Sequence, residues 1–269
     1  MTGGAGFRSR ILRRLVVGAV AATLIGGGFQ PALAQSAGAT AISGKASGPQ
    51  GRGWVDIAKL PDWGGVWDAD WSLLFGGPPQ EQPQLVGPYL EAQKAFLAAQ
   101  KVGDNVQTET ANCLPPGMPQ IMSQPYPVEF LFTPGKVTIA IEAYNQMRRV
   151  FTDGRGHPAD PDPLWYGHSI GHWEGSTLVV DSVGFDPKTT LEPGAGHSDQ
   201  LHVTEVIKQI QPDRIEIVTT MTDPKALAQP WTIKRQYVRH RDWDIKEYIC
   251  EQNNRDAADA QGRPSMKLN

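Results

Sequence analysis

From Val128 onward the chain is a rapid succession of short segments rich in Val, Ile, Thr, Phe and Tyr, cut apart by clusters of Gly, Pro, Asp and Asn. This pattern constrains the fold more than any other feature. The segments 128–132, 137–144, 147–152, 166–172, 177–183, 202–210, 214–222, 231–240 and 245–251 read as strands. Gly65-Val66-Trp67, inside the aromatic stretch from Trp63 to Trp71, reads as an opening strand. A helix fits 88–102, where Tyr89 with Phe96 and Leu90 with Leu97 recur at helical spacing and Gly103 supplies a stop. From Cys113 to Pro127 the chain is Pro-rich and suits an extended segment wrapping over a scaffold. The expectation is an all-β fold: a single antiparallel β-barrel, lipocalin-like in shape, with one short helix. Closure is favoured because it removes exposed strand edges.

The ends carry different signals. A basic start with Arg8, Arg10, Arg13 and Arg14, an apolar run from Leu15 to Phe29, and Ala32-Leu33-Ala34 before Gln35 have the layout of an export signal over 1–34. Arg13-Arg14 followed by Leu15 also has a twin-arginine character, although Leu12 stands where Ser or Thr is expected. A Gly-, Ala- and Ser-rich stretch then reads as a flexible leader to about residue 60, with the barrel over 61–256 and a polar tail over 257–269. Removing the signal takes four arginines and no acid from 25 basic and 28 acidic residues, leaving 21 against 28, net −7. That charge excludes nucleic acid as a natural partner, and no second long apolar run predicts a membrane span in the mature protein. The compartment implied by export favours a bridge between the two cysteines, Cys113 and Cys250.

The stretch from Tyr166 to Val183 reads as a hairpin. A loop at Glu174-Gly175 sets His172 against Thr177, Ile170 against Val179 and His168 against Asp181. A carboxylate facing an imidazole in apolar surroundings fixes its tautomer and raises its basicity, so His168 and Asp181 form the leading candidate for general-base chemistry. A three-residue loop would separate them onto opposite faces.

Near Asp153-Gly154 a second group gathers Glu142, Arg148, Arg149, Asp153, Arg155 and His157. Arg148 and Arg149 must face opposite ways on a regular strand. Arg149, which shares parity with Phe151, is taken as the inner one, able to clamp an oxyanion. His202 is a further candidate for that role, and Tyr166, Glu142, His197 and Glu205 are candidate ligand contacts. His197 and His202 lack the compact spacing of recognised zinc motifs, so neither a metal nor any other cofactor is expected. Trp63, Trp67, Trp165, Trp173 and Trp231 suit either an aromatic pocket or the core and end-plugs of a small barrel. A P-loop, a dinucleotide fingerprint, a nucleophile elbow and an HExxH motif are all missing from the sequence.

Through GHSIGHWEGSTLVVDSVGF at 167–185, RRVFTDGRGHP at 148–158, LHVTE at 201–205, Pro230-Trp231 and EYICEQNN at 247–254, the chain resembles a large family of exported, largely uncharacterised bacterial proteins. The resemblance runs from about Pro61 to Asp256. In that pattern an Arg stands at the position of His172 and an Asp at that of Ser176, which implies that His172 is not catalytic. His168, Asp181, His202 and Glu205 match it. The G-x-W opening at Gly65 to Trp67 is similar to that of lipocalin-type barrels, a likeness of fold only.

Three functions compete on this reading. A carrier or binding protein for a small organic molecule comes first. A cofactor-free lyase, isomerase or hydrolase working through His168 and Asp181 is the alternative, and an interaction module for an envelope partner is a further one.

Overall fold

The computed structural model describes residues 45–77, 79–102 and 113–250, all within one compact unit. The proposed signal over 1–34, the first part of the leader and the polar tail lie outside the described residues.

Nine strands close into a barrel. They are β1 (Val66–Ala69), β2 (Val128–Thr133), β3 (Lys136–Ile141), β4 (Gln146–Phe151), β5 (His168–Glu174), β6 (Thr177–Val183), β9 (His202–Gln211), β10 (Arg214–Thr222) and β11 (Trp231–His240), in the circular order β1-β11-β10-β9-β6-β5-β4-β3-β2. A separate small hairpin is formed by β7 (Thr190–Glu192) and β8 (Ala195–Gly196).

The all-β barrel expectation holds, with one modification that follows from counting. A closed ring with an odd number of strands cannot alternate direction throughout, and the parallel step falls between β4 and β5, at Val150 with Ser169 and Phe151 with Ile170. Parallel neighbours need a long return connection. Residues 152–167 supply it.

Strand periodicity sorts side chains cleanly between inside and outside. Paired inward positions run around the ring from Ile139 and Arg148 through Val150, Ser169, Ser182, Val203 and Met221, and from Ile217 through Arg235 to Tyr237, Ala69, Trp67 and Val128. Trp63, Trp67 and Trp173 are almost wholly buried, and Trp63 packs edge-on against Phe130 and tilted against Trp173, both 5.1 Å between centroids. The tryptophans at one end of the barrel are therefore core.

The helices are peripheral. A fifteen-residue helix at Gly87–Lys101 matches the expected one, with Pro88 in its first turn, where a missing N–H costs nothing. Two shorter ones accompany it: α1 (Trp54–Ile57) and α2 (Trp71–Gly76), the latter capped by Asp70, whose side chain accepts from the amides of Ser72 and Leu73. Taking Gly87–Lys101 as α3, Trp71 belongs to α2 rather than to the opening strand. The expected strand at 245–251 is likewise absent from the described part: 243–249 is irregular.

Two strand edges are left open by short neighbours, and glutamine side chains close both. β1 ends at Ala69, so Lys234 on β11 has a strand, β10, on one side only. Gln80 gives its Nε2 to the Lys234 carbonyl at 2.9 Å and accepts the Lys234 amide at 3.3 Å. β4 pairs with β5 only as far as Ile170, and Gln50 serves Trp173 in the same way, at 2.8 and 2.9 Å. Ser47 adds backbone bonds to Trp173 and Gly175. The leader expectation therefore fails over residues 47–60, which are fastened to the barrel.

Cys113 and Cys250 are bridged as expected, with Cα atoms 5.5 Å apart. Asn145 exchanges two hydrogen bonds with the backbone of Tyr248, so the last described segment is pinned to the β3–β4 turn as well.

Candidate functional site

The hairpin keeps the predicted faces but not the predicted register. Its loop is Gly175-Ser176, with Glu174 opposite Thr177, Ile170 opposite Asp181 and His168 opposite Val183. Gly175 takes φ +61°, the left-handed conformation that the first loop position of a type II′ turn requires and that only glycine adopts freely. That requirement moves the register by two residues, an even step that preserves each side chain's face. His168 and Asp181 thus share a face as expected, but diagonally rather than across from each other.

That face is the outer one. The long connection passes over β6 and brings His157 between the two groups. His157 Nδ1 lies 2.8 Å from His168 Nδ1, and His157 Nε2 lies 3.0 Å from Asp181 Oδ1. His202 Nε2 approaches the same carboxylate oxygen at 2.8 Å.

Burial opposes ionisation of Asp181, but hydrogen bonds from His157 and His202 outweigh it and hold the carboxyl well below the usual carboxylate range. A carboxylate only accepts, so both Nε2 atoms carry hydrogens. Burial, then the charges of His157 and Arg155, push His168 below its ordinary value, which favours a neutral ring donating Nδ1–H to His157. Phe151 stacks on His168 at 5.5 Å and Arg155 lies 4.0 Å over the Phe151 ring. The four groups make a linear chain, His168–His157–Asp181–His202, half-buried on the outer wall.

Inside the barrel the expected arginine is exchanged for its neighbour. Arg148 points inward at 1% exposure and Arg149 is exposed, so the assignment of Arg149 to a cavity is corrected. Phe151 packs outside on His168, so sharing its parity puts Arg149 on the outer face. Arg148 grips Glu205 with both terminal nitrogens, Nη1 to Oε1 at 3.0 Å, and Nη2 also reaches Ser182 at 3.2 Å and Ser169 at 3.4 Å. Glu205 is wholly buried in that pair. The expected ligand contact is thereby occupied by a protein partner.

The remaining candidates lie apart. Buried His197 has Nδ1 2.8 Å from the Ser198 carbonyl and Nε2 2.8 Å from the Thr189 hydroxyl, and burial keeps it below its ordinary pKa, so both ring nitrogens are used structurally. Glu142 accepts the Lys246 amide at 2.8 Å near the β3–β4 turn. Tyr166 has a buried hydroxyl without a partner, and burial raises its pKa. Among the described residues no group of three or more His, Cys, Asp or Glu side chains is arranged to hold a metal ion.

Two cavities open elsewhere, at the seam where β1 has ended. The larger, about 440 Å³, is walled by Ala69, Leu73, Leu74, Val218, Ile233 and Arg235, among others. The smaller, about 250 Å³, is more polar and includes Gln120, Glu192, Trp231 and Arg235. Both share Gln80, Glu81, Ile233 and Arg235. Arg235 sits on the inward face of β11 opposite Ile217, yet among the described residues it makes no ion pair. Its Nε is buried without a partner and its one hydrogen bond, to the Lys234 carbonyl, is 3.4 Å long.

Sequence reasoning missed this site, because the signal for Arg235 is only its inward parity on β11 next to a strand that stops short. The fold is a barrel of a kind compatible with ligand binding, and no helix among the described residues is long and apolar enough to cross a membrane. No protein-family model matches the chain, and no curated protein matches it. Among solved structures it is similar to secretory abundant heat soluble protein 4 from Ramazzottius varieornatus, at 14% identity over 74% of this chain and 99% of that one, with a TM-score of 0.29. So distant a likeness says nothing about function.

Proposed function

We propose that this is an exported barrel that binds a small organic molecule at the seam beside β11. One observation carries the reading: a half-buried guanidinium, Arg235, stands between two cavities with no carboxylate paired to it among the described residues and only a 3.4 Å hydrogen bond to the Lys234 carbonyl. Buried donors are almost always satisfied, and an exception in a concave site marks a place for a ligand. A volume of about 440 Å³ is adequate for a molecule of ordinary cofactor or metabolite size. The Cys113–Cys250 bridge supports an oxidising compartment.

Titration with N-phenyl-1-naphthylamine, a neutral probe that fluoresces in apolar surroundings, tests it. Saturable binding is expected, and Val218→Phe, which fills the larger cavity from its rim, should abolish it while leaving the melting temperature nearly unchanged. No saturable binding to the wild type, or equal binding to a folded Val218→Phe variant, sinks the reading.

A second reading rests on the linear chain on the outer wall. A proton accepted at His168 Nε2 lets His168 pass its Nδ1 proton to His157, leaving an imidazolium against Asp181. That is the wiring of a general base for a lyase, isomerase or hydrolase, with His202 fixing the carboxylate. Turnover unaffected by both His168→Ala and His157→Ala would dismiss it.

A further inference from the structure

The barrel has three inward-facing arginines whose surroundings differ. Arg148 is charge-paired with Glu205 through its terminal nitrogens, although its Nε, like those of Arg235 and Arg239, is buried without a hydrogen-bond partner. Arg239 pairs with Asp62 at 2.9 Å and lies 4.5 Å over the Trp67 ring. Arg235 has neither a carboxylate nor an aromatic partner among the described residues. Of the other charges near the cavities, Glu81 lines both and is exposed without an ion pair among the described residues, while Asp70 and Lys234 are paired. Asp70 is held by Arg214 and Ser72, and Lys234 faces Glu216 at 3.5 Å.

Gln120 adds a second donor to the smaller cavity, because its amide oxygen is occupied by the Thr190 hydroxyl, leaving the NH₂ group to the space beyond. On the far wall, Glu192 lines the same cavity without coming within ion-pair distance of Arg235. The larger cavity, next to this polar end, is walled by Leu73, Leu74, Val218 and Ile233.

We propose that the ligand is an amphipathic organic anion, its oxyanion gripped by Arg235 and Gln120 and its apolar body lying along Leu74, Val218 and Ile233. This deepens the binding function proposed above and rests on it. A planar guanidinium matches carboxylate, sulfonate or phosphate oxygens with two parallel hydrogen bonds, the arrangement Arg148 already makes with Glu205. An ammonium ligand would leave Arg235 unpaired and repelled, and a neutral one would leave its charge unanswered. Glu192 then acts as a gate on charge. Burial raises its pKa despite the nearby Arg235, so it surrenders its charge readily and stops repelling the anion as the pH falls.

The test compares two probes with the same aromatic body: 8-anilinonaphthalene-1-sulfonate, an anion at every pH used, and neutral N-phenyl-1-naphthylamine. The sulfonate should bind about tenfold or more tightly than the neutral probe, consistent with charge-assisted hydrogen bonding to a half-buried arginine. Arg235→Gln should weaken the sulfonate roughly 10- to 100-fold and the neutral probe less than about twofold, with Arg235→Lys between. Glu192→Gln should tighten the sulfonate severalfold and abolish its pH dependence.

Arg235 gives up only a long, exposed hydrogen bond to the Lys234 carbonyl, so these variants are expected to fold, and unchanged circular dichroism checks that. If wild type and Arg235→Gln bind both probes alike, the anion assignment falls while the binding function survives. If neither probe binds the wild type, both fall. Sulfonate binding that persists in Val218→Phe would place the probe elsewhere and also overturn the assignment.

Discussion

Replacing Glu205 by Gln removes one charge from the most deeply buried ion pair in the barrel. Arg148 and Glu205 are 1% and 0% exposed, so neither can recover water when the other is neutralised. Ser169 and Ser182, which also bond to each other at 2.7 Å, offer Arg148 only neutral acceptors. Breaking such a pair from one side costs about 3 to 5 kcal/mol, since it strands an uncompensated charge. For a domain of this size each kcal/mol lowers the melting temperature by about 2–4 °C, which amounts to a fall on the order of 6–20 °C. Arg148→Met should cost a similar amount by stranding Glu205.

The double variant Arg148→Met/Glu205→Leu leaves no charge behind and should lie within about 2 kcal/mol of wild type, in either direction. Urea unfolding followed by tryptophan fluorescence measures all four proteins, and equal slopes would show that only stability has moved. The reasoning is refuted if Glu205→Gln costs less than about 1 kcal/mol, or if the double variant loses as much as the two singles together.

Stability should also fall on mild acidification. His168 and His197 are both held below their ordinary value of 6.5, so the unfolded chain takes up protons more readily than the folded one once the pH drops below about that value. Their contribution is complete above 6.5 and declines as the pH is lowered; Asp181, with a depressed carboxyl pKa, keeps its contribution until below about 3.8. A melting temperature flat from pH 7.5 to 5.5, or a slope unchanged in His168→Gln/His197→Gln, contradicts this. Removing the Cys113–Cys250 bridge, whose ends are 137 residues apart, should cost about 5 kcal/mol by the chain-entropy relation, and equal urea midpoints for the oxidised protein and Cys113→Ser/Cys250→Ser would disprove it.

Much of the barrel is legible because strand periodicity is local. The segments at 177–183, 214–222 and 231–240 have the expected bounds, and the inner and outer faces of β5 and β6 follow from their alternation alone. What depends on nonlocal closure is not legible. No pattern in 152–167 states that the connection must travel back along the barrel, and this path is what makes His157 the link between His168 and Asp181. The choice between Arg148 and Arg149 turned on Phe151, an aromatic that packs against imidazole and guanidinium outside the core. The cavity at Arg235 arises where β1 stops, and strand ends are the least certain thing a sequence conveys.

Gln80 and Gln50 have a consequence for how copies of this protein meet. An unoccupied strand border invites a neighbouring chain to lengthen the sheet, and a carboxamide has the same donor and acceptor spacing as a peptide unit. By seating one amide on Lys234 and another on Trp173, the molecule supplies its own imitation of a partner and stays closed to recruitment. Cutting both back to alanine would leave two sticky margins on an otherwise self-sufficient ring, and self-association would be the result.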